Sequence, residues 1–255
     1  MKTRIISLAA GLVLGGSLLL VGATAVIAAS PPPGPAGKGV CAAQALASRT
    51  NATADTLKAF GDCEISRRFT TLDALSARVT ASKVLTSADA AALKSEIGST
   101  KSGLTSLKAA IDAETDVAAL KADIAKIATD YRVYLLVVPQ VNLLNAADGV
   151  MAAQTRFAGI NTKLADAIAA AKAAGKDTTA AQASLDAMNA AVTKAVGLAG
   201  PLPAALLPLT PAQYNAGTAG PIIASARTAL GQARDQLKAA VAAAKACRDA
   251  LKALK

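Results

Sequence analysis

The sequence contains no histidine and no tryptophan, and only 2% of its 255 residues are aromatic. Without histidine, a Ser-His-Asp triad, an imidazole acid–base pair and a histidine-ligated metal site are all excluded. The scarcity of aromatic side chains leaves no stacking platform for single-stranded nucleic acid, and no nucleic-acid recognition motif is present. We therefore expect a protein that is not an enzyme, that has no catalytic residue, cofactor or metal, and that does not bind nucleic acid.

Alanine is the residue that the sequence has in abundance. Apolar residues make up 53% of the chain, and roughly a quarter of all residues are alanine. Because alanine combines the highest helix propensity with a small side chain, this composition favours long, closely spaced helices. We predict an all-α fold, arranged as an elongated antiparallel bundle of five or six long helices.

The N-terminal residues have the pattern of an export signal. Lys2 and Arg4 precede an uncharged stretch over residues 5–29, and Ala23-Thr24-Ala25 matches a signal cleavage site. A stretch of about 25 uncharged residues is also long enough to span a bilayer. Residues 1–29 are therefore predicted to be either a signal peptide or an uncleaved N-terminal anchor. Both alternatives place the rest of the chain outside the cytoplasm, secreted or held at the membrane.

A spacer rich in proline and glycine follows the signal. Residues 30–39 include three consecutive prolines, which favour extended polyproline II structure. Residues 40–255 are then expected to form one alanine-rich helical bundle domain, long enough for a sizeable core. Its first segment, residues 40–83, is predicted to be either one bent helix or two helices that meet at Gly61.

Helix ends downstream are marked by capping and helix-breaking residues. Thr86 and Asp116 have side chains suited to cap the second and third long helices. Pro139 predicts a kink or break, and Gly175 fits the left-handed position that often follows a helix. Residues 201–211 are expected to form an apolar, proline-bracketed loop.

The last predicted helix, which begins at Pro221, has two distinct faces. Its apolar seam advances in steps of three and four residues, the register of a coiled coil, at Leu230, Ala233, Leu237, Ala240, Ala244, Cys247, Leu251 and Leu254. Basic residues dominate another face, at Arg234, Lys238, Lys245, Arg248 and Lys252. Outside a cell, such a face is able to meet anionic wall polymer or lipid headgroups; the alternative interpretation is a solvated helix face.

The three cysteines allow at most one internal disulfide. If residues 41–63 form one helix, Cys41 and Cys63 lie roughly 33 Å apart, and pairing them requires the chain to fold back near Gly61. We therefore expect Cys63 to pair with Cys247 and to link the first and last helices. The alternative is that the thiols are buried and unpaired, acting as small apolar residues.

An acidic segment and a tyrosine-rich segment are the remaining candidate sites. The carboxylates of the first could hold a divalent cation weakly, but Lys121 and Lys126 lie nearby, so we interpret them as solvated helix faces and caps: Asp112, Glu114, Asp116, Asp123 and Asp130. The second, residues 131–139, combines a β-branched run with Tyr131, Arg132, Tyr134 and Pro139. It is either a bulky packing knot around a proline kink or a ligand pocket, and Asp148 is the expected partner of a buried Arg132.

The order of these segments resembles a group of bacterial proteins. Arg67-Arg68 with its following leucines, Tyr131-Arg132-Val133-Tyr134 and Ala146-Ala147-Asp148 are similar to uncharacterised alanine-rich helical exported bacterial proteins, over residues 60–255. The resemblance implies export and a helical bundle, and it brings no catalytic residue with it.

The sequence as a whole predicts an exported, non-enzymatic structural or interaction protein of the bacterial cell envelope. Its expected partners are another envelope protein, an anionic wall polymer or a membrane surface. The alternative is a membrane-active helical protein that places its basic C-terminal helix, or the apolar loop over residues 201–211, on anionic lipid or wall polymer. The oligomeric state stays open.

Overall fold

A computed structural model describes residues 39–254 of the chain. Within these residues the fold is all-α, and no strand is present. The predicted signal peptide or anchor over residues 1–29 and nearly all of the spacer lie outside the described residues.

The described residues form nine α-helices and one π-helix. In chain order these elements are α1 (Ala42–Thr50), α2 (Ala54–Ala81), α3 (Ser87–Ala113), α4 (Val117–Thr129), the π-helix (Val133–Val137), α5 (Val138–Ala173), α6 (Thr179–Ala199), α7 (Leu202–Leu206), α8 (Pro211–Asn215) and α9 (Ala219–Ala253).

The N-terminal group of helices is α2, α3 and α4, which pack against one another, with the short α1 lying against α2. Residues 51–53 interrupt the helical structure between α1 and α2, and Thr53 there accepts a hydrogen bond from the Thr56 backbone at 3.3 Å. The sequence predicted either one bent helix over residues 40–83 or two helices that meet at Gly61; instead, two helices meet at residues 51–53, and Gly61 lies inside α2. A Cβ atom there would be 3.4 Å from both Ile111 and Ile124, so Gly61 marks a close approach of α2 to its neighbours.

The C-terminal group is α5, α6 and α9, and α6 and α9 have the most extensive contact in the described structure. The predicted seam of α9 is buried along its centre, at Ala233, Leu237, Ala240, Ala244 and Cys247. The buried residues of α6 are also mostly small, namely Ala181, Leu185, Met188, Ala191, Val192, Ala195 and Ala199. Alanine on both helices lets their backbones approach closely, as the composition predicted.

Residues 201–211 form α7 and the start of α8 rather than an exposed apolar loop. Leu202, Leu206 and Leu209 are buried in the core. The buried Gln140 side chain on α5 donates hydrogen bonds to the backbone oxygens of Leu206 at 2.9 Å and Leu209 at 3.2 Å. The packing of these leucines inside the protein argues against the alternative in which this segment lies on a membrane.

Several predicted helix ends are confirmed. Thr86 accepts from the Asp89 backbone at 3.1 Å, and Asp116 accepts from the Ala119 backbone at 2.8 Å. Gly175 has a φ of +72°, and its N–H and that of Lys176 close the end of α5. The break expected near Pro139 falls earlier, at residues 130–132, and Pro139 lies inside a continuous helical stretch, directly after the π-helix and in the first turn of α5.

One helical stretch of the described residues, Val117–Ala173, contains a segment long and apolar enough to cross a membrane. However, 61% of that segment is buried inside the protein, as in the core helix of a globular domain. Its apolar character is therefore accounted for by packing against the neighbouring helices.

The close contact between α6 and α9 predicts a steep cost for a larger side chain at the seam. Ala240 is fully buried, whereas its neighbour Ala239 is exposed. Ala240→Leu should lower the free energy of unfolding by about 1–3 kcal/mol, because the extra atoms force the helices apart. The control Ala239→Leu should change it by less than about 0.5 kcal/mol. Equal effects of the two substitutions in urea unfolding would contradict the close packing.

Candidate functional site

The basic face of α9 comprises the five predicted residues and Arg227: Arg227, Arg234, Lys238, Lys245, Arg248 and Lys252. At 100° per residue, all except Arg248 fall within about 40° of arc, roughly a third of a turn away from the buried seam. These five side chains are exposed, and Arg248, which lies nearest to the seam, is half-buried. With a rise of 1.5 Å per residue, the face extends over roughly 38 Å.

Two carboxylates lie beside the six cations. Asp235 is 3.1 Å from Lys238, and Asp249 is 2.9 Å from Lys245, whose hydrogen bond lowers the pKa of the Asp249 carboxyl. Arg227 and Lys252 have no carboxylate partner among the residues that the structure describes. Because exposed ion pairs contribute little free energy, both paired and unpaired cations remain available to an external anion.

The charge of the described chain is segregated between the two helix groups. Residues 42–130 carry 11 basic and 11 acidic residues, whereas residues 131–254 carry 12 basic and 6 acidic residues. One of those six acidic residues, Asp148, is buried and does not contribute to the surface. The positive charge of the folded part therefore belongs to the C-terminal group, and α9 carries half of its basic residues.

Arg132 lies at the turn between α4 and the π-helix, with a left-handed backbone at φ 44°. Its Nε donates to Asn215 Oδ1 at 2.6 Å, and its guanidinium lies 5.3 Å from the centre of the Tyr214 ring. Asn215 in turn donates to the Thr129 backbone oxygen at 2.9 Å. The expected pairing of Arg132 with Asp148 is wrong, because α8 supplies the partners of this arginine.

The tyrosines of the same segment pack against residues of α2 and α3. A Cβ atom at Gly103 would be 2.5 Å from Tyr131 Cε1, so the Tyr131 ring occupies the space that a side chain at position 103 would need. The Tyr134 ring lies 4.9 Å from the guanidinium of Arg67 and 5.3 Å from that of Arg68.

Both of these guanidinium groups are held by one carboxylate. Glu64 is 2.7 Å from Arg67 and 2.6 Å from Arg68. Burial raises the pKa of the Glu64 carboxyl, but its hydrogen bonds and charge interactions with the two arginines lower the pKa by more. The net shift is therefore downward. Because Tyr131, Arg132 and Tyr134 all lie against other parts of the chain, the segment over residues 131–139 favours the packing interpretation over a ligand pocket.

Asp148 lies instead in a polar seam between α5 and the α2–α3 connection, which the sequence analysis missed. Asn142, Asn145 and Asp148 follow one another at intervals of three on α5. Arg78 donates to Asn142, Ser82 Oγ lies 2.7 Å from Asn145 Oδ1, and the Thr86 backbone donates to Asp148 Oδ2 at 2.7 Å. Three regularly spaced polar residues within the otherwise apolar residues 141–153 were the signal that could have revealed this seam.

Two buried carboxyl groups meet at the end of the polar seam. Asp148 is 3% exposed and Asp89 is 8% exposed. Burial raises the pKa of the Asp148 carboxyl, and the charge of Asp89 and a hydrogen bond with it raise it further. A buried carboxyl with a raised pKa holds its proton more tightly than a free one, but this pair is closed to solvent, so we interpret it as structural rather than catalytic.

The structure corrects the predicted disulfide. Cys41 is bonded to Cys63, with 5.8 Å between their Cα atoms. This pairing is possible because the chain reverses at residues 51–53, which places the first residue before α1 beside the third turn of α2. Cys247 is a free thiol buried in the α9 seam, and burial raises its pKa, so it is poorly suited to act as a nucleophile.

The acidic segment is used in capping and in pairing with lysines. Asp112 lies 3.0 Å from Lys108, Asp123 lies 2.8 Å from Lys126, and Asp116 caps α4. Within residues 39–254, no group of three or more Asp, Glu or Cys side chains is placed to hold a metal ion.

Comparison with protein families, with curated proteins and with solved structures finds no match for this chain. The resemblance to alanine-rich helical exported bacterial proteins therefore stays a prediction.

The disulfide predicts a specific peptide map and a measurable stabilisation. Without reduction, the map should contain two peptides linked through Cys41 and Cys63. Cys247 should react with an alkylating reagent only after the protein is unfolded, because its thiol is free and buried. Replacing Cys41 and Cys63 together with serine should lower the free energy of unfolding by about 3 kcal/mol, since the bridge closes a loop of 22 residues. Any linkage that contains Cys247 would show that the observed pairing is wrong.

The raised pKa of Asp148 predicts a pH-dependent stability. The folded state binds this proton more tightly than the unfolded state, so the stabilisation is complete below the ordinary carboxyl value of 3.8 and is lost as pH rises through the folded pKa. Asp148→Asn should therefore gain in Tm relative to the unmodified protein between pH 4 and 7. The control Asp166→Asn, at an exposed position of α5, should show no such trend. Parallel Tm curves for the protein and for Asp148→Asn would refute the buried acid pair.

Proposed function

We propose that this chain is an exported, non-enzymatic interaction protein of the bacterial cell envelope that attaches to an anionic partner through the basic face of α9. In this proposal its long helices form an elongated antiparallel bundle that displays α9 at the surface. The partner that fits best is an anionic polymer of the cell wall.

The observation that carries the proposal is the distribution of charge on α9. Six cations and only two carboxylates lie on α9 outside its buried seam. They leave a net positive charge along the whole length of the helix. The N-terminal helices, by contrast, have equal numbers of basic and acidic residues. A local excess of one sign raises the rate of encounter with a partner of opposite charge and binds it with a salt-dependent affinity.

Two further features support export. The charged start and uncharged stretch of residues 1–29 have the pattern of a signal. The Cys41–Cys63 disulfide is of a kind that persists in oxidising compartments and is rare in the cytoplasm. The two features are independent, since one is a property of the N-terminal sequence and the other is a property of the folded domain.

An interaction role is also supported by what the reactive groups do. The buried carboxyl pair is closed to solvent, Asp112 and Asp123 pair with lysines while Asp116 caps α4, and the free thiol has a raised pKa. These groups are engaged in packing and folding, whereas the cations of α9 face outward.

The test compares two variants that lose the same charge at different places. The first carries Arg234→Gln, Lys238→Gln and Lys245→Gln on the basic face. The control carries Lys83→Gln, Lys94→Gln and Lys121→Gln, all at exposed positions of the N-terminal group with no carboxylate partner in the described structure. Glutamine keeps a helix propensity close to that of lysine and arginine, so both variants should fold.

On phosphocellulose, the α9 variant should elute at a clearly lower salt concentration than the control, because it has lost the clustered cations. Circular dichroism checks that both variants keep the helical fold. Elution of the two variants at the same salt concentration would mean that net charge alone causes retention, and the proposal would fail.

A further inference from the structure

The basic face of α9 is long and narrow. Five of its cations lie within about 40° of the helix circumference but extend over roughly 38 Å of its axis. Lys238, Lys245 and Lys252 follow one another at intervals of seven residues, and so do Arg227 and Arg234. Each interval corresponds to roughly 10.5 Å along the helix, so the cations form a line rather than a patch.

We propose that this line binds one extended segment of a linear polyanion, aligned with the axis of α9, and that it does not bind a lipid bilayer. The proposal rests on the function proposed above and names the class of its partner. The polymer is one with an anionic group, phosphate or carboxylate, in every repeat.

The surroundings of the line argue against a bilayer. Proteins that lie on a membrane combine cations with large apolar side chains that enter the headgroup region. The exposed large apolar residues of the described structure are Val40, Leu46, Leu135 and Ile222, and of these only Ile222 belongs to α9. It lies on the side of the helix away from the cations and is only 36% exposed.

Residues beside the line are suited to a chain that approaches closely. Ala224 and Ala242 are exposed small residues at its edge, and a side chain at Gly231 would meet no atom within 4 Å. Asp235 and Asp249 also lie at one edge of the line of cations. Their carboxylates would repel a flat anionic surface, whereas a single chain aligned with the cations need not contact them. Residues 201–211 are the other apolar candidate for membrane contact, and their Leu202, Leu206 and Leu209 are buried.

Inorganic polyphosphate of defined chain lengths is a suitable probe, with tripolyphosphate as its shortest form. Affinity per chain should rise with length until one chain spans about 38 Å, and should then level off. The slope of log Kd against log salt should be about 4 if all six cations contact the polymer, at about 0.7 per contact. The α9 triple glutamine variant should bind at least about tenfold more weakly, and the control triple variant should bind as the unmodified protein does.

Three results would overturn the proposal, and they differ in whether the proposed function would still hold. Equal affinity for tripolyphosphate and for long chains would indicate a discrete anion site on α9, so the proposed function would survive but the linear partner would not. Co-sedimentation with phosphatidylglycerol vesicles that is tighter than binding to polyphosphate at equal phosphate would favour a membrane surface. Binding that is unchanged in the α9 variant would refute both the linear partner and the proposed function.

Discussion

The close contact between α6 and α9 is the constraint on which the rest of the C-terminal group depends. Alanine at Ala195, Ala233, Ala240 and Ala244 leaves little side-chain volume between the two helices, so the seam is narrow and only one side of α9 is buried. The remaining circumference is exposed, and the cations occupy part of it. A wider apolar seam of leucine or phenylalanine would cover more of the helix and leave less room for a continuous line of charge. The small residues that stabilise the contact between α6 and α9 therefore also determine which side of α9 is exposed.

A second interaction joins this group to the N-terminal helices. The asparagines and Asp148 on α5 receive hydrogen bonds from Arg78, Ser82 and the Thr86 backbone, all around the connection between α2 and α3. Buried polar groups of this kind cost free energy unless they are paired, so they favour one relative placement of the groups over others. The disulfide has a comparable role at the N-terminus, where it holds the short α1 against α2.

Local features of the fold could be predicted from the sequence because they depend on neighbouring residues. The caps at Thr86 and Asp116, the left-handed Gly175 and the apolar seam of α9 are all set by spacing within one helix. The basic face could be recognised for the same reason. These features follow from the periodicity of a helix, which is the most reliable signal in an alanine-rich chain.

What could not be predicted depends on contacts between distant segments. The disulfide was assigned to the wrong cysteine because the reversal at residues 51–53 contains neither glycine nor proline; Thr53 as an N-cap was the one local sign of it. Arg132 binds Asn215, 83 residues away, and no pattern in the sequence connects them. Gln140 likewise binds distant residues, Leu206 and Leu209, through backbone oxygens that any sequence would supply.

Lysine acetylation, read by mass spectrometry, tests most directly whether α9 is the surface that contacts an anionic polymer. Polyphosphate should protect Lys238, Lys245 and Lys252 from the reagent and leave Lys83, Lys94 and Lys121 as reactive as in the free protein. All six lysines are exposed, so their reactivity without polymer gives a common reference. Protection that is uniform over both sets, or that is absent from α9, would contradict the account.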